Sequence, residues 1–318
     1  MLTIFTAPKP FTDPHIDRIQ RNAIRSWRDL GSLVDVLLVG DEVGMQQAAH
    51  DLQVRQVTGV ERNEFGTPRV DAIFRLARQA SASPLLGYVN ADILLMPDLL
   101  DAARAALKRC DAFLLIGQRW DLDVQEDVTV GEQGAAALRQ RVQKQGRPHP
   151  PGGSDYFLFP RECFTQIPPF AVGRAGWDNW MIFHARKQRW PVIDATGSVL
   201  AVHQQHDYAH LPDGQPHYRL PESDENLRLA GGQRRVFRLP DADYRLQAGR
   251  IERQPRTLRR LLLDVERAPV VYGESDLAAG IVHACLHPIR AWREARGALR
   301  YSFSRRLTRR RSAPSNER

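Results

Sequence analysis

Leu85-Leu86-Gly87-Tyr88-Val89-Asn90-Ala91-Asp92 changes character within eight residues. The first five are apolar without alternation, as in a strand buried on both faces. The last three are a short polar corner ending in a carboxylate. Ligands of open parallel sheets gather at the carboxyl ends of strands. A carboxylate at such an end can hold a divalent cation, which offsets the charge of a diphosphate. An Asp after a strand also serves as a turn or helix-cap residue, so the corner alone leaves both roles open.

Similar runs recur on either side. Leu2–Thr6 is apolar and stops at Ala7-Pro8-Lys9-Pro10, and Val34–Val39 stops at Gly40-Asp41. Short strands are expected near Val54–Val57, Ala112–Gly117, Tyr156–Phe159, Val192–Ile193 and Val199–Val202. Between them lie helical periods. Ile16, Ile19, Ala23, Ile24 and Trp27 share one face, as do Val70, Ile73, Phe74 and Ala77, with Thr67 and Pro68 in the positions of an N-cap and first helical residue. Further helices are expected from Pro97, over Gln133–Gln145, over Trp177–Arg189 and beyond Leu258. Strand–helix alternation of this kind predicts an α/β fold, a mostly parallel central sheet with helices on both faces. Residues 203–255, rich in Pro, Gly, Asp and Arg, read as mostly loop.

The 318 residues carry a net charge of +8, and the charge is local. From Arg290 to Arg318 ten arginines oppose Glu294 and Glu317, so the first 289 residues sum to zero. A balanced body argues against nucleic acid as a partner. Ile289, Trp292, Leu299 and Phe303 interleave with the tail arginines, a pattern suited to an anionic membrane surface and equally to a solvated helix. Three distant cysteines exclude a disulfide scaffold or thiolate zinc site and predict a reducing, cytoplasmic setting. No apolar run reaches 18 residues and the N-terminus lacks a basic, then apolar, leader, so neither a spanning helix nor a secretory signal is expected.

Four further stretches carry candidate chemistry. Gly176-Trp177-Asp178-Asn179-Trp180 brackets an acid with aromatics at a helix start: a general base in an apolar pocket, or a capping Asp beside core tryptophans. His203-Gln204-Gln205-His206-Asp207-Tyr208-Ala209-His210 places three imidazoles within eight residues. On a helix His203, His206 and His210 would share a face and suit zinc, but the strand before them makes helical geometry doubtful. Gly152-Gly153-Ser154-Asp155 reads as a turn whose glycines let backbone approach a ligand while Ser154 and Asp155 bond hydroxyls. The fourth is the Gly66-Thr67-Pro68-Arg69 turn opening a helix.

Taken in order, these parts resemble the GT-A superfamily of nucleotide-sugar-dependent glycosyltransferases over about residues 1–210, with residues 211–318 as a loop-rich, then helical extension ending in the basic tail 290–318. Asn90-Ala91-Asp92 stands where that superfamily carries its DxD motif. The resemblance implies that Thr6, Pro8 and Asp41 line base and ribose, that Arg69 lies near diphosphate or base, and that Asp92 holds Mn2+ or Mg2+. His203, then His206, would be the further metal ligands. Asn90 replaces the motif's first Asp and brings no charge, which weakens the metal expectation. Ser154, Asp155 and Trp177 would face the acceptor, and Asp178 would be the base of an inverting transfer. The implied partners are a nucleotide-diphospho-sugar donor and a glycan or lipid-linked acceptor. Surface glycan synthesis and the inner membrane face, reached through the tail, are the implied setting. The alternatives are a GT-A-shaped binding or scaffold protein without chemistry, and a metal-dependent hydrolase built on His203, His206 and His210. A nucleotidyltransferase is disfavoured because Thr6-Ala7-Pro8-Lys9-Pro10 has no glycine to form a phosphate loop.

Overall fold

The computed structural model describes residues 1–129, 132–152, 154–206, 220–294 and 296, so His210 and the tail beyond Arg296 lie outside the described residues. The chain divides into two compact units, Met1–Gln254 and the segment from Pro255 on.

The first unit runs β1 (Leu2–Thr6), α1 (Pro14–Arg28), β2 (Val34–Val39), α2 (Met45–Leu52), β3 (Arg55–Val57), α3 (Val70–Ala80), β4 (Leu85–Val89), β5 (Ile93–Leu94), α4 (Asp98–Arg109), β6 (Leu114–Ile116) and β7 (Arg119–Leu122). It continues with α5 (Glu132–Gln145), β8 (Arg147–Pro148), β9 (Tyr156–Pro160), α6 (Trp177–Lys187), β10 (Val192–Asp194), β11 (Ala201–Gln204), α7 (Pro221–Leu229), β12 (Tyr244–Gln247) and β13 (Arg250–Arg253). Nine strands form one sheet in the order β13-β12-β10-β6-β9-β4-β1-β2-β3, and β5-β11-β7-β8 form a second. In the large sheet β3, β2, β1 and β4 are mutually parallel, as are β6, β10 and β12, while β9 and β13 run antiparallel to their neighbours.

Successive strand residues serve opposite faces. Leu2 and Ile4 join a core with Ala23, Ile24 and Trp27 of α1, Met45 and Ala49 of α2 and Leu99 of α4. Phe5, the next residue, points the other way, its ring 5.0 Å from Phe74 of α3 and 5.6 Å from Tyr88 of β4. Helices therefore cover both faces, which is why the strands read as unbroken apolar runs.

Two local expectations change. Helix α3 begins at Val70 with Arg69 before it, not at Pro68 after a Thr67 cap. Asn63 Oδ1 accepts from the Phe65 and Thr67 amides, and Pro68 and Arg69 are held as β-bridges to Arg62 and Ala171, so these residues are spent on a closed turn. Residues 221–253, read from composition as loop, hold α7 and the β12–β13 hairpin; their inward residues (Asn226, Phe237, Leu246) are spaced too widely for a periodic signal.

The second unit contains α8 (Leu258–Val271) and α9 (Asp276–Leu286), joined by a turn in which Glu274 adopts φ 49°. Among the described residues no helix is long and apolar enough to cross a membrane.

Candidate active site

Parallel β1 and β4 end at the same edge of the large sheet, and antiparallel β9 begins there, with Val89 opposite Tyr156. Three chain segments meet at that edge: Ala7–Pro10, Asn90–Asp92 and Ser154–Asp155. With the first turn of α6 and part of the small sheet they enclose a cleft of about 830 Å³. Pro8, Asn90, Asp92, Ser154, Asp155, Trp177, Asp178, His203 and His206 all line it. Residues separated by up to 198 positions thus share one hollow.

Helix α1 fixes this edge through polar groups on its buried side. Trp27 Nε1 donates to the Ile93 carbonyl at 2.8 Å, and Ser26 Oγ accepts from the Leu95 amide at 3.2 Å. Gln20 bonds both the amide and the carbonyl of Lys9, at 2.7 and 3.0 Å. Asn22 Nδ2 donates to Gln204 Oε1 at 3.1 Å, and Gln204 Nε2 donates to the Ile19 carbonyl at 2.8 Å. The bonds of Asn22, Ser26, Trp27 and Gln204 are buried, so losing one partner there would strand the other away from water. The loop after β1, the corner after β4 and the end of β11 are all tied to this helix.

The small sheet brings the imidazoles to Asp92. His203 pairs in register with Ile93 of β5 on one side and with Asp121 of β7 on the other. His203 Nδ1 lies 3.0 Å from Asp121 Oδ1, which leaves its Nε2 facing Asp92 Oδ2 at 3.6 Å. His206 Nε2 lies 3.1 Å from the same Asp92 oxygen. Asp121 also bonds His149 Nδ1 at 2.8 Å and Arg119 Nε at 3.1 Å. His203 is therefore a strand residue, and the helical face expected for a zinc hydrolase is absent at 203–204; His210 of that set lies outside the described residues.

The charges are strongly coupled. Burial raises the Asp92 carboxyl, but His203 and His206 outweigh it and hold it well below the usual carboxylate range. Burial lowers His203, but Asp92 and Asp121 lift it to about 9. Asp121 is likewise lowered, His203, His149 and Arg119 overcoming burial. Asp178 behaves oppositely: burial, with help from Asp155, pushes it up to about 6.

Asp92, His203 and His206 bring three ligand atoms within 4.8 Å of one another. Asp92 Oδ1 is buried and has no hydrogen-bond partner among the described residues. A shared carboxylate, an imidazole whose second nitrogen is held by another carboxylate, and an unused buried oxygen fit a divalent cation. The Asp121–His203 bond is the outer support of such a ligand set, and it lies outside every motif in the sequence.

The remaining expected residues divide. Asn90 Nδ2 donates to Asp155 Oδ1 at 2.9 Å, and Arg119 Nη1 reaches the same oxygen at 2.5 Å, so Asp155 chiefly braces the corner. Ser154 is buried with an unpartnered hydroxyl. Trp177 packs edge-on against Tyr88 at 5.0 Å and contributes to both core and cleft wall. Asn179 anchors the start of α6 by donating to the Gly152 and Phe237 carbonyls at 3.0 and 2.6 Å. Thr6, Asp41 and Arg69 do not line the cleft. Thr6 is fully buried; Asp41 is exposed and paired with Arg62 at 2.7 Å; Arg69 is paired with Asp71 at 2.6 Å and Glu61 at 3.1 Å.

Sequence reasoning missed the cleft's cations. Lys9, Arg62, Arg119, Arg174 and Arg238 line it. Arg62, Arg119 and Arg174 are paired with carboxylates, whereas Lys9 and Arg238 form no ion pair among the described residues. Burial lowers the Lys9 ammonium, which Asp92 partly counters. The lone lysine among the first 100 residues, one step past Pro8, was the available signal.

No family model matches the chain, and no curated protein matches it. Solved structures similar to it include glucosyl-3-phosphoglycerate synthase of Mycobacterium tuberculosis, at 15% identity and a TM-score of 0.47 over 73% of this chain and 81% of that one. The same synthase in complex with Mn2+, uridine diphosphate and phosphoglyceric acid gives 15% and 0.45 over 73% and 78%. TarS 1–349 of S. aureus in complex with UDP-GlcNAc gives 11% and 0.45 over 72% and 65%.

Proposed function

We propose that this chain is a nucleotide-sugar-dependent glycosyltransferase of the GT-A type. The observation that carries the reading is the buried Asp92 Oδ1, without a hydrogen-bond partner among the described residues, beside two imidazoles, in a cleft that also holds a lysine in no ion pair among those residues and a carboxyl raised to about 6.

Asp92, His203 and His206 would hold the divalent cation, Mn2+ ahead of Mg2+ because two of the three donors are imidazole nitrogens. Bound there, the cation supplies Lewis-acid charge to a leaving diphosphate. Lys9 and Arg238 add charge that no ion pair among the described residues consumes. Asp121 holds the His203 ring so that its Nε2 is offered to the ligand. Trp177 and Tyr88 form an apolar wall against which a sugar ring can stack. Asp178 takes the proton of the acceptor hydroxyl: burial makes its carboxylate a stronger base while leaving it ionised at neutral pH. A single carboxylate acting on the acceptor corresponds to inversion at the anomeric carbon.

The acceptor is proposed to be a glycan or a lipid-linked sugar at an anionic membrane. Support comes from the second unit, where Leu258, Leu261, Leu262 and Val265 recur at one face of α8 and are all exposed, in a segment whose tail carries the chain's excess arginines.

The test is incubation of the purified chain with Mn2+ and a panel of UDP- and GDP-sugars, followed by nucleotide release and product stereochemistry. Sugar-dependent release and inverted product support the reading. Nucleotide binding without turnover on any donor would favour a binding protein, and a product retaining the donor's configuration would remove Asp178 from its role.

A further inference from the structure

Within the second unit, α8 and α9 pack as a hairpin with little core. Apolar residues buried there among the described ones are Val270, Val271 and Ala279, while Leu258, Leu261, Leu262, Val265, Leu277 and Ile281 are exposed. Pro269 interrupts α8 and Gly280 lies within α9. Helices of this length are marginal alone, so something besides apolar burial must hold the pair.

Glu266 of α8 faces His283 of α9 and His287, the residue that caps α9. Glu266 Oε1 lies 2.8 Å from His283 Nδ1, and Oε2 lies 3.2 Å from His287 Nε2. The two imidazoles are four residues apart, on successive turns, with ring centroids separated by 5.1 Å. His287 closes the helix end, its amide donating to the His283 carbonyl at 2.8 Å. His283 is 8% exposed, and its Nε2 is buried with no hydrogen-bond partner among the described residues. Glu294 Oε2 stands 3.4 Å from that nitrogen. One ligand atom from each of Glu266, His283 and His287 falls within 4.8 Å of the others.

We propose that Glu266, His283 and His287 form a second metal site, suited to Zn2+, that clips α8 to α9, with Glu294 orienting His283 from behind. The donor set selects the metal. Two imidazole nitrogens and a carboxylate suit a borderline-soft ion in tetrahedral geometry. Ligand atoms of a tetrahedral zinc bound at ~2.0–2.1 Å lie roughly 3.3 Å apart, and Glu266 already meets His283 at 2.8 Å through Oε1 and His287 at 3.2 Å through Oε2. His287 is half-exposed and can turn to complete the set. A carboxylate on the far nitrogen of a ligating imidazole is the usual outer support of such a site, and Glu294 Oε2 occupies that place. The fourth position is left to water. A set that joins two short helices acts on the fold, and its binding free energy adds to folding of the hairpin. The inference is independent of the glycosyltransferase reading.

The experiment is zinc titration of the full-length chain in competition with a chromogenic chelator, with Asp92→Asn in every sample to remove the cleft site. The expected result is one zinc per chain with affinity better than ~1 μM, weakened at least 100-fold by Glu266→Gln and by His287→Ala. His287→Ala leaves the Glu266–His283 bond in place, and helicity by circular dichroism verifies that it folds. X-ray absorption of the bound zinc is expected to show two imidazoles with oxygen ligands, and zinc is expected to raise the thermal midpoint of Asp92→Asn but not of its His287→Ala derivative. Failure of Asp92→Asn to bind zinc more tightly than ~10 μM, or equal binding by a folded His287→Ala derivative, would overturn the proposal.

Discussion

Asp121 and His203 face each other across the parallel pairing of β7 and β11, Oδ1 to Nδ1 at 3.0 Å. That bond turns the other nitrogen of His203 toward Asp92. Asp121→Asn removes the charge and can present the wrong hydrogen-bonding atom to the ring. Mn2+ affinity is expected to fall about 10- to 100-fold, with nucleotide-independent binding followed by titration calorimetry. A smaller loss on His149→Ala, which touches Asp121 but not Asp92, would order the two contributions.

Cation binding is expected to release a proton. His203 titrates at about 9 in the cation-free site, above its usual 6.5, so it is charged at pH 7.5. A ligating nitrogen must be neutral. Apparent Mn2+ affinity therefore rises with pH until His203 deprotonates unaided. Calorimetry in two buffers of different ionisation heat is expected to give close to one proton released per cation at pH 7.5.

Asp178 gives a rate and a stability prediction of definite sign. A base that titrates near 6 makes transfer rise with pH through that value and level off above it. Asp178→Asn is expected to keep nucleotide binding and lose ~10²-fold or more in turnover. For stability, the folded value lies above the unfolded value near 3.8, so the folded state holds the proton more tightly. Stability falls as pH rises from about 4 to about 6 and stays reduced above. Thermal melting at pH 7.5 is expected to find Asp178→Asn no less stable than the wild type.

Trp27→Phe keeps most of the buried ring but strands the Ile93 carbonyl. The loss is expected to be about 1–3 kcal/mol in chemical denaturation. Because the same bond ties α1 to the corner holding Asp92, Mn2+ affinity falls with it.

The architecture was legible because α1 through α4 and their strands keep the periods that burial imposes. Unbroken runs such as Val34–Val39 and Leu85–Val89 follow from a sheet covered on both faces. The grouping of Asp92, His203 and His206 was partly legible: the acid and two of the three histidines were recognisable by type and order. What holds them was not. Gln20, Asn22 and Ser26 look like the solvent side of an amphipathic helix, yet they are buried because the site's loops come down on them. Asp121 gains meaning only from register with His203, and register between strands 80 residues apart leaves no local trace. Asp41 and Arg69 carry the right chemistry for nucleotide contact, but the structure commits each to a neighbouring charge.

Lys9→Ala tests the anion side of the cleft. Its ammonium is held half-buried by the Gln20 clamp on its backbone and forms no ion pair among the described residues. Removing one charged contact to a diphosphate is expected to weaken nucleoside diphosphate binding about ten- to a hundredfold, with little change in folding stability.

The most direct measurement of the central assignment is calorimetric titration of UDP and GDP into the wild-type chain and Asp92→Asn, each with and without Mn2+. The assignment of the Asp92–His203–His206 cluster predicts that one diphosphate binds the wild type only when the cation is present, and that Asp92→Asn removes this dependence together with most of the affinity. Equal binding with and without Mn2+, or no diphosphate binding to a folded wild-type chain, would contradict it.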